Sequence, residues 1–315
     1  MGRRRKGLTV NGWVVLDKPE GLGSTQAVGR VRRAFEAQKA GHAGTLDPLA
    51  TGVLPIALGE ATKTVSFLVD ADKAYRFTIA WGANTASFDR DGAITETSAA
   101  RPSPEAVAKA LPAFVGEIEQ IPPAFSAVKV AGERAYDLAR AGVAVDLAAR
   151  MVNIHSAQVL AAPDPDHVEI EIVCGKGTYV RGLARDLAST LGACGHVSAL
   201  RRTRVGPFAA ENAVTLEHLE DLCHTGRGLE ALSPVETALD DIPALAVTTE
   251  DAFRLSQGRP IVLLPRQVET LRTRLSAPDG AGFASRTVLT THGGGPVAIC
   301  EIRAGQLRPV RVFNL

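Results

Sequence analysis

A strand that runs through a glycine bend into a helix is the pattern that most limits what this chain can fold into. Apolar and polar residues alternate from Val168 to Ile172, which is typical of a strand with one buried face. Gly175 and Gly177 can then bend the chain, and apolar residues recur at helical spacing up to Leu191. Because each element has one apolar face to bury, the pattern predicts a layered fold in which helices cover a sheet.

More elements of both kinds come before this unit. Strands are predicted over residues 12–16, 53–58 and 75–81, the last with clean alternation. A helix is predicted over residues 24–38, with Ser24 as its N-cap, and a short one over residues 104–114. Together these elements predict an α+β domain.

The last part of the chain has a different character. Residues 258–264, 297–302 and 307–313 read as short strands separated by glycine-rich turns. This pattern suits a small β-barrel, and the alternative is an extension of the main sheet at its edge.

Length and composition are those of a soluble protein. A chain of 315 residues, 45% of them apolar and 22% charged, can bury a substantial core and is expected to form one large and one small domain. Its longest apolar runs fall far short of the roughly 18 residues that a membrane helix needs, and no apolar segment follows the basic residues 3–6. We therefore expect a cytoplasmic protein.

The net charge of +1 hides an uneven distribution of charge along the chain. Residues 1–50 carry nine lysines or arginines against four acids, and residues 175–206 carry six against one. Residues 207–253 hold ten acids and a single arginine. The two basic segments could form one surface that follows the phosphates of a nucleic acid, with the acidic segment on the opposite side of the molecule. Alternatively, they could be ordinary charged residues in contact with solvent.

The cysteines and glycines give no sign of a cofactor. The four cysteines, at positions 174, 194, 223 and 300, are scattered, and no two form a C-x-x-C pair. This spacing indicates neither a zinc site nor a disulfide framework, so we expect buried thiols. No G-x-G-x-x-G fingerprint is present, and residues 59–64 lack the spacing of a P-loop. The sequence therefore predicts an activity without metal or cofactor.

One carboxylate, Asp47, stands in a turn of glycine, threonine and proline between residues 41 and 54. Gly44 and Gly52 permit close approach of the backbone, Pro48 stiffens the chain after the acid, and His42 adds a titratable ring. This is either an Asp-Pro turn before a buried strand or a loop that presents Asp47 to a ligand.

Blocks of sequence between residues 16 and 203 carry a resemblance to a known family. They are Leu16-Asp-Lys-Pro-Glu-Gly21, residues 42–52, Gly59-Glu-Ala-Thr-Lys63, Lys73-Ala-Tyr75, residues 121–129, Gly132-Glu-Arg-Ala-Tyr136, Gly177-Thr-Tyr-Val-Arg181 and Leu200-Arg-Arg-Thr203. In this order they resemble the TruB family of tRNA pseudouridine synthases, which convert a uridine in the T-loop of transfer RNA to pseudouridine.

The resemblance implies a fold, a substrate and a domain arrangement. The fold would be that of the pseudouridine synthases, with a mixed, largely antiparallel sheet flanked by helices over residues 1–245. Residues 246–315 stand where bacterial members carry a small PUA-like, barrel-shaped RNA-binding domain. These members act alone on uridine 55 of tRNA, which implies a monomer that needs no protein partner, no membrane and no cofactor.

The resemblance also assigns catalytic roles. Asp47 would start the reaction by adding to the base, attacking the ribose carbon or removing a ribose proton. Tyr75 would stack on the uracil and help remove its C5 proton, and sheet packing is its alternative role. Arg181 would pair with Asp47 and hold it ionised, since a contacting cation favours a charged carboxylate. A surface position or a bond to Asp186 is the ordinary alternative for this arginine.

Substrate contacts follow from the same resemblance, because the target uridine must be flipped out of the stacked loop. His42 would fill the place that the base leaves, and Leu200 and Tyr179 would line the pocket of the flipped base. Lys18 would contact a phosphate or brace the loop. Core packing is the alternative for Leu200 and Tyr179.

Two other functions fit parts of the sequence. Residues 44–52 also resemble the nucleotide-binding turn of adenylyltransferases, but Val53 stands where that motif requires histidine. A non-catalytic RNA-binding protein or tRNA-folding chaperone could retain the same scaffold, although Asp47, Tyr75 and Arg181 are all present.

Overall fold

The computed structural model describes residues 7–275 and 286–315 apart from positions 127, 131, 136, 137, 139, 140 and 144. Tyr136, which ends one block of the family resemblance, and the basic residues 3–6 therefore lie outside the described residues. The α-helices are α1 (Ser24–Ala34), α2 (Val65–Asp70), α3 (Pro104–Ala110), α4 (Val180–Thr190), α5 (Leu216–His224), α6 (Thr249–Ser256) and α7 (Pro265–Leu275).

Strands make up much of the remaining chain. They are β1 (Gly12–Lys18), β2 (Ala40–His42), β3 (Thr51–Leu58), β4 (Lys73–Trp81), β5 (Ala83–Thr85), β6 (Ile94–Thr97), β7 (Gly116–Gln120), β8 (Lys129–Val130), β9 (Glu133–Arg134), β10 (Arg150–Asp164), β11 (His167–Cys174), β12 (Gly195–Val205), β13 (Phe208–Ala209), β14 (Val214–Thr215), β15 (Leu232–Ser233), β16 (Ala244–Ala246), β17 (Ile261–Val262), β18 (Thr287–His292), β19 (Gly295–Arg303) and β20 (Gln306–Val312).

One large mixed sheet forms the body of the molecule. Its strand order is β14-β1-β3-β12-β4-β11-β10-β7, with β2, β13 and β15 paired alongside. The pairs β1–β14 and β3–β12 are parallel, and the other pairs are antiparallel. The predicted mixed, largely antiparallel sheet and the α+β class are confirmed.

Helices cover one face of this sheet. Val31 of α1, Leu183 of α4 and Leu219 of α5 are buried in one core with Phe77 and Ile170 of the central strands. The alternating pattern in β11 and the helical pattern after it therefore face each other, as their periodicities predict. The strand-bend-helix unit sets Arg181 in the first turn of α4, at the edge of this core.

Helix α1 is shorter than predicted and has a different N-cap. Gly23 occupies the N-cap position, and the helix ends at Ala34 and not at Gln38. The cause at the C-terminal end is Glu36, which has a left-handed φ of 49° and cannot continue a right-handed helix. Ser24, predicted as the cap, instead turns its hydroxyl toward the loop that carries Asp47.

The predicted helix over residues 104–114 is an α-helix only in its first part. After α3 the chain forms a 3-10 turn, Leu111–Phe114. Pro112 lacks a backbone N–H and its ring clashes with the preceding helical turn, so the α-helix stops before it.

The C-terminal strands form their own sheet in the order β16-β18-β19-β20-β17. The alternative of an edge extension of the main sheet is therefore wrong. The strand predicted over residues 258–264 shrinks to β17, because Gly258, with a φ of 75°, follows α6 and Pro260 has no N–H to donate. Helices α6 and α7 were not predicted.

The two sheets share a second core. Leu289, Ile299 and Phe313 of the C-terminal part are buried with Trp13 of β1 and Leu239. The face of the main sheet that the helices leave open at β1 and β3 is thus covered in part by the C-terminal sheet. No helix among the described residues is both long and apolar enough to cross a membrane.

Candidate active site

Asp47 lies on the loop between β2 and β3, and the residues on either side of it are fixed. The Ser24 hydroxyl donates to the Leu46 carbonyl oxygen at 2.9 Å and accepts from the Leu46 N–H at 2.8 Å. The Pro48 carbonyl oxygen accepts from the Gly21 N–H at 2.8 Å. Bonds on both sides restrict the carboxylate, whose side chain is 37% exposed, to a narrow range of positions.

Lys18 braces the same loop. Its fully buried ammonium donates to the carbonyl oxygens of Pro19, Leu22 and Pro48 at 2.9, 2.7 and 3.2 Å. Burial lowers the pKa of Lys18 to about 8, against the opposing charge of Asp47. Of the two predicted roles, this geometry is that of the loop brace, because a phosphate contact would require the ammonium to leave all three carbonyls.

Arg181 reaches Asp47 from the first turn of α4. Its Nη2 lies 2.9 Å from Oδ2 of Asp47 and also donates to the Phe125 carbonyl oxygen at 2.8 Å. The guanidinium is buried, with a side-chain exposure of 5%. The predicted contact between Arg181 and Asp47 is confirmed, and the alternative bond to Asp186 is wrong because Asp186 accepts from Arg185.

A second carboxylate, Asp89, faces Arg181 from the other side. Its Oδ2 lies 3.5 Å from Nη1 of Arg181, which also donates to the Ser87 carbonyl oxygen at 2.8 Å. The Ser87 hydroxyl in turn donates to Asp89. Asp89 was not predicted from the sequence, since its partner Arg181 lies on a distant element. It follows a tight turn in which Phe88 has a left-handed φ of 59°.

Tyr75 stands on β4 directly opposite Arg202 of β12. Burial raises the pKa of Tyr75, and the positive charge of the nearby Arg202 opposes this effect. The ring therefore lies on a rigid strand beside a buried cation, and its phenol is protonated at neutral pH.

His42 ends β2 and is held neutral. Burial lowers the pKa of His42, and the charge of Arg202 lowers it further. Its Nδ1 is buried and has no hydrogen-bond partner among the described residues. A flat, uncharged ring with one unused nitrogen, five residues before Asp47, suits contact with a nucleic-acid base.

Tyr179 and Leu200 lie on the two elements that carry Arg181 and Arg202. Tyr179 is the N-cap of α4, and Gln120 holds its backbone by accepting from the N–H at 2.8 Å and donating to the carbonyl oxygen at 3.1 Å. The Tyr179 side chain packs against a small buried cluster that includes Val128. Leu200 lies in β12 opposite Phe77 and is 8% exposed. No sequence pattern pointed to Gln120.

The chain is similar in sequence to known proteins over its whole length. Residues 32–180 match the TruB family pseudouridylate synthase (N terminal domain), and residues 181–240 match the tRNA pseudouridylate synthase B C-terminal domain. A tRNA pseudouridine synthase B of Caulobacter sp. (strain K31) is 64% identical over 315 residues, which is 100% of both chains. That of Nitrobacter winogradskyi is 54% identical and covers 99% of this chain and 85% of its own.

Solved structures agree with the fold. The crystal structure of a Cbf5-Nop10-Gar1 complex contains a chain that is 25% identical to this one, with a TM-score of 0.69 over 96% of this chain and 84% of that one. The identity of 64% across the full length and the family matches from residue 32 to residue 240 together assign the sequence to a family. The chain belongs to the TruB family of pseudouridylate synthases.

Proposed function

We propose that this chain isomerises uridine 55 in the T-loop of tRNA to pseudouridine and that Asp47 starts the reaction. The observation that carries the proposal is the contact of 2.9 Å between the partly exposed Asp47 carboxylate and the buried guanidinium of Arg181. The family membership and the relatives named tRNA pseudouridine synthase B support the reaction and its substrate.

The reaction breaks the C1′–N1 bond, turns the uracil and joins C1′ to C5, after which the proton on C5 must leave. Asp47 is suited to the first step because the buried guanidinium of Arg181 holds one of its oxygens and leaves the carboxylate partly exposed. Asp89 holds Arg181 from the opposite side and so helps to fix the direction of Asp47. In this proposal Tyr75 stacks on the uracil, and its phenol, which stays protonated at neutral pH, helps to orient the group that takes the C5 proton. N1 takes up one proton in exchange, so the base neither gains nor loses a proton overall.

The target base must leave the stack before Asp47 can reach it, at a cost of a few kcal/mol. We assign to His42 the place that the base vacates, because its ring is flat, neutral and carries an unused nitrogen. Leu200 and Tyr179 would line the pocket that receives the uracil. Lys18 would contribute by holding the loop in shape and not by direct contact with phosphate.

Residues 246–315 are proposed to bind a second part of the tRNA, with the catalytic domain ending at residue 245. Support comes from a separate sheet that carries two exposed arginines, Arg308 and Arg311, neither of which forms an ion pair within the described part of the chain. Exposed guanidinium groups that donate only to neutral acceptors, here Gln306 and the Val310 carbonyl oxygen, suit phosphate contacts. We further infer a cytoplasmic monomer that acts without a protein partner.

The test is pseudouridine formation in an unmodified tRNA transcript, with the modified position mapped chemically. The wild-type chain should modify uridine 55, and Asp47→Ala should lower the rate by at least about a thousandfold while tRNA binding persists, as expected for an initiating nucleophile or base. Asp221→Ala, at an exposed position on α5, is the matched control. A wild-type chain that binds the transcript but leaves it unmodified would contradict the proposal and favour the chaperone alternative.

A further inference from the structure

Arg202 is an arginine that the proposed chemistry does not use. Its side chain is 1% exposed, among the largest fully buried side chains of the described residues. No carboxylate lies within ion-pair distance of it in the described part of the chain. A buried cation without an acidic partner is costly, because transfer from water removes its hydration, so its remaining contacts need an explanation.

The Arg202 side chain donates to backbone carbonyl oxygens on both sides of Asp47. Its Nε donates to the Val53 carbonyl oxygen at 2.8 Å, and its Nη2 donates to the Gly44 carbonyl oxygen at 3.1 Å. Gly44 precedes Asp47 by three residues, and Val53 follows it in β3. One guanidinium therefore ties both ends of the loop to β12.

The third group beside Arg202 is the phenol of Tyr75. The two residues are directly opposed in the β4–β12 register, so their side chains leave the sheet on the same face. At this separation the positive charge of Arg202 acts on the Tyr75 phenol. Arginine supplies the planar set of donors that the two carbonyl acceptors require, and it keeps its charge next to Tyr75.

We propose that Arg202 is a positioning residue of the pseudouridine reaction, which sets the Tyr75 hydroxyl and the Asp47 loop in a fixed relation to each other. One buried group thus couples the carboxylate that starts the reaction to the phenol that acts late in it. This inference rests on the proposed function for its catalytic part, but the contact between Arg202 and Tyr75 can be tested without activity.

The groups that face the Tyr75 phenol define the direction of the effect. Asp47 and Cys174 raise the pKa of Tyr75, and Arg202 is the group that lowers it against the effect of burial. The Cys174 thiol is neutral at neutral pH, since burial raises its pKa to about 11. Loss of the guanidinium should therefore move ionisation of Tyr75 to higher pH.

The first experiment uses fluorine NMR of the full chain grown with a fluorinated tyrosine that ionises closer to neutrality. The chain has three tyrosines, and the Tyr75 signal is assigned by its loss in Tyr75→Phe. In Arg202→Met the ionisation constant of Tyr75 should fall by at least about tenfold, which is one pKa unit. Arg201→Met, which removes the neighbouring arginine paired with Asp17, is the matched control and should leave the Tyr75 titration unchanged.

The second experiment is a double-mutant cycle on single-turnover pseudouridine formation, with Arg202→Lys as the milder variant that keeps the charge but not the planar arrangement of donors. The substitution should slow the wild-type enzyme by at least about tenfold and slow the Tyr75→Phe enzyme by much less, because the two residues act together. Equal slowing in both backgrounds, or an unchanged Tyr75 titration in folded Arg202→Met, would overturn the proposal.

If Arg202→Met does not fold, the kinetic cycle with Arg202→Lys decides the question alone. If the wild-type chain forms no pseudouridine, the proposed function fails, and the fluorine titration still decides whether Arg202 governs the Tyr75 phenol. The two failures are therefore distinguishable.

Discussion

Arg181 and Arg202 are both buried arginines at the candidate site, and they satisfy their charge differently. Arg181 lies between the carboxylates of Asp47 and Asp89, whereas Arg202 donates to two carbonyl oxygens and stands opposite Tyr75. Both come from the basic segment 175–206, so part of the charge that composition assigns to a phosphate-binding surface is internal. At the residue scale, the partners and the burial of a charged side chain determine whether it can reach a ligand at the surface.

Asp89 is the residue whose role can be isolated most simply. Asp89→Asn keeps the shape but removes the second negative charge at Arg181, and we expect a loss of about 10- to 100-fold in kcat, since a charge-assisted hydrogen bond contributes about 1.5–3 kcal/mol. The measurement is single-turnover pseudouridine formation with saturating enzyme. Asp91→Asn, at an exposed position two residues further along the chain, should leave the rate of pseudouridine formation unchanged. An equal loss of rate in both variants would count against the role of Asp89.

Lys18 gives the protein a defined pH dependence. Burial lowers its pKa from 10.5 to about 8, so between these values the folded state binds fewer protons than the unfolded chain. The free energy of unfolding should therefore rise with pH through this window, and the cost of the buried ammonium should be fully present below pH 8. Lys73, whose pKa burial also lowers to about 8, adds to the same slope.

The measurement is denaturant unfolding between pH 8 and pH 9, where thiols of ordinary pKa 9.0 are at most half ionised in the unfolded chain, so the buried Cys174 and Cys300, whose pKa is raised to about 11, oppose the slope only in part. Lys18→Met should reduce the slope of stability with pH and leave the part due to Lys73. The exposed Lys176 offers the control Lys176→Met, which should keep the full slope. Identical slopes in wild type and Lys18→Met would show that the Lys18 pKa is not shifted.

At the scale of elements, the position of β12 builds the site. It pairs in parallel with β3 through Arg201 and Arg202 and in antiparallel with β4 through Leu200 and Arg202. The strand thereby touches the end of the Asp47 loop on one side and Tyr75 on the other. Close approach on the β3 side depends on Gly52, which has a φ of 97° and faces the Arg202 carbonyl.

Gly52→Ala tests this packing of strands. An added Cβ would lie 2.2 Å from the Arg202 carbonyl oxygen, so one of the two strands must shift. We expect a loss of at least about 2 kcal/mol in the free energy of unfolding, with loss of activity, because steric overlap adds to a disfavoured backbone angle. Gly41→Ala, where an added Cβ meets no atom within 4 Å, is the control on the neighbouring strand β2. Full stability and activity of Gly52→Ala would refute this account.

At the scale of the whole molecule, two sheets are joined by a shared core and by the end of the chain. Lys63 donates to the Val312 carbonyl oxygen at 2.7 Å, and the Asn314 N–H donates to Glu60 at 2.8 Å. Phe313 lies between these two bonds and is buried in the core that contains Trp13. The segment after β3 thus holds the C-terminal sheet against the catalytic part.

Phe313→Ala should weaken this junction. Removal of a buried phenylalanine ring costs about 3–5 kcal/mol, and the C-terminal sheet should lose its fixed position, so both the Tm and the tRNA affinity should fall. Leu315→Ala, at a position that is 63% exposed, should change stability by less than about 0.5 kcal/mol. Calorimetry and a tRNA-binding isotherm at fixed salt measure both effects. Unchanged values for Phe313→Ala would mean that the junction does not depend on this side chain.

The sequence by itself determined the elements and the first members of the site. Periodicity predicts β1, β3, β4, β11 and α4, because alternation and helical spacing are local properties of the chain. Family blocks between residues 16 and 203 led to Asp47, Tyr75 and Arg181, and the contact of Asp47 with Arg181 is confirmed. Element ends were less well predicted, since Glu36 and Pro112 stop helices that apolar spacing alone would extend.

Only the tertiary structure decided how these residues work together. Asp89, Gln120 and Arg202 enter the site through contacts between elements far apart in the chain, and no local pattern records such a contact. It also decided that Lys18 and Arg202 are internal, because burial depends on what packs over a side chain. The sequence determines which side chains are available. The pairing of strands and the packing of the core determine the distances between these side chains and the burial that acts on their charges.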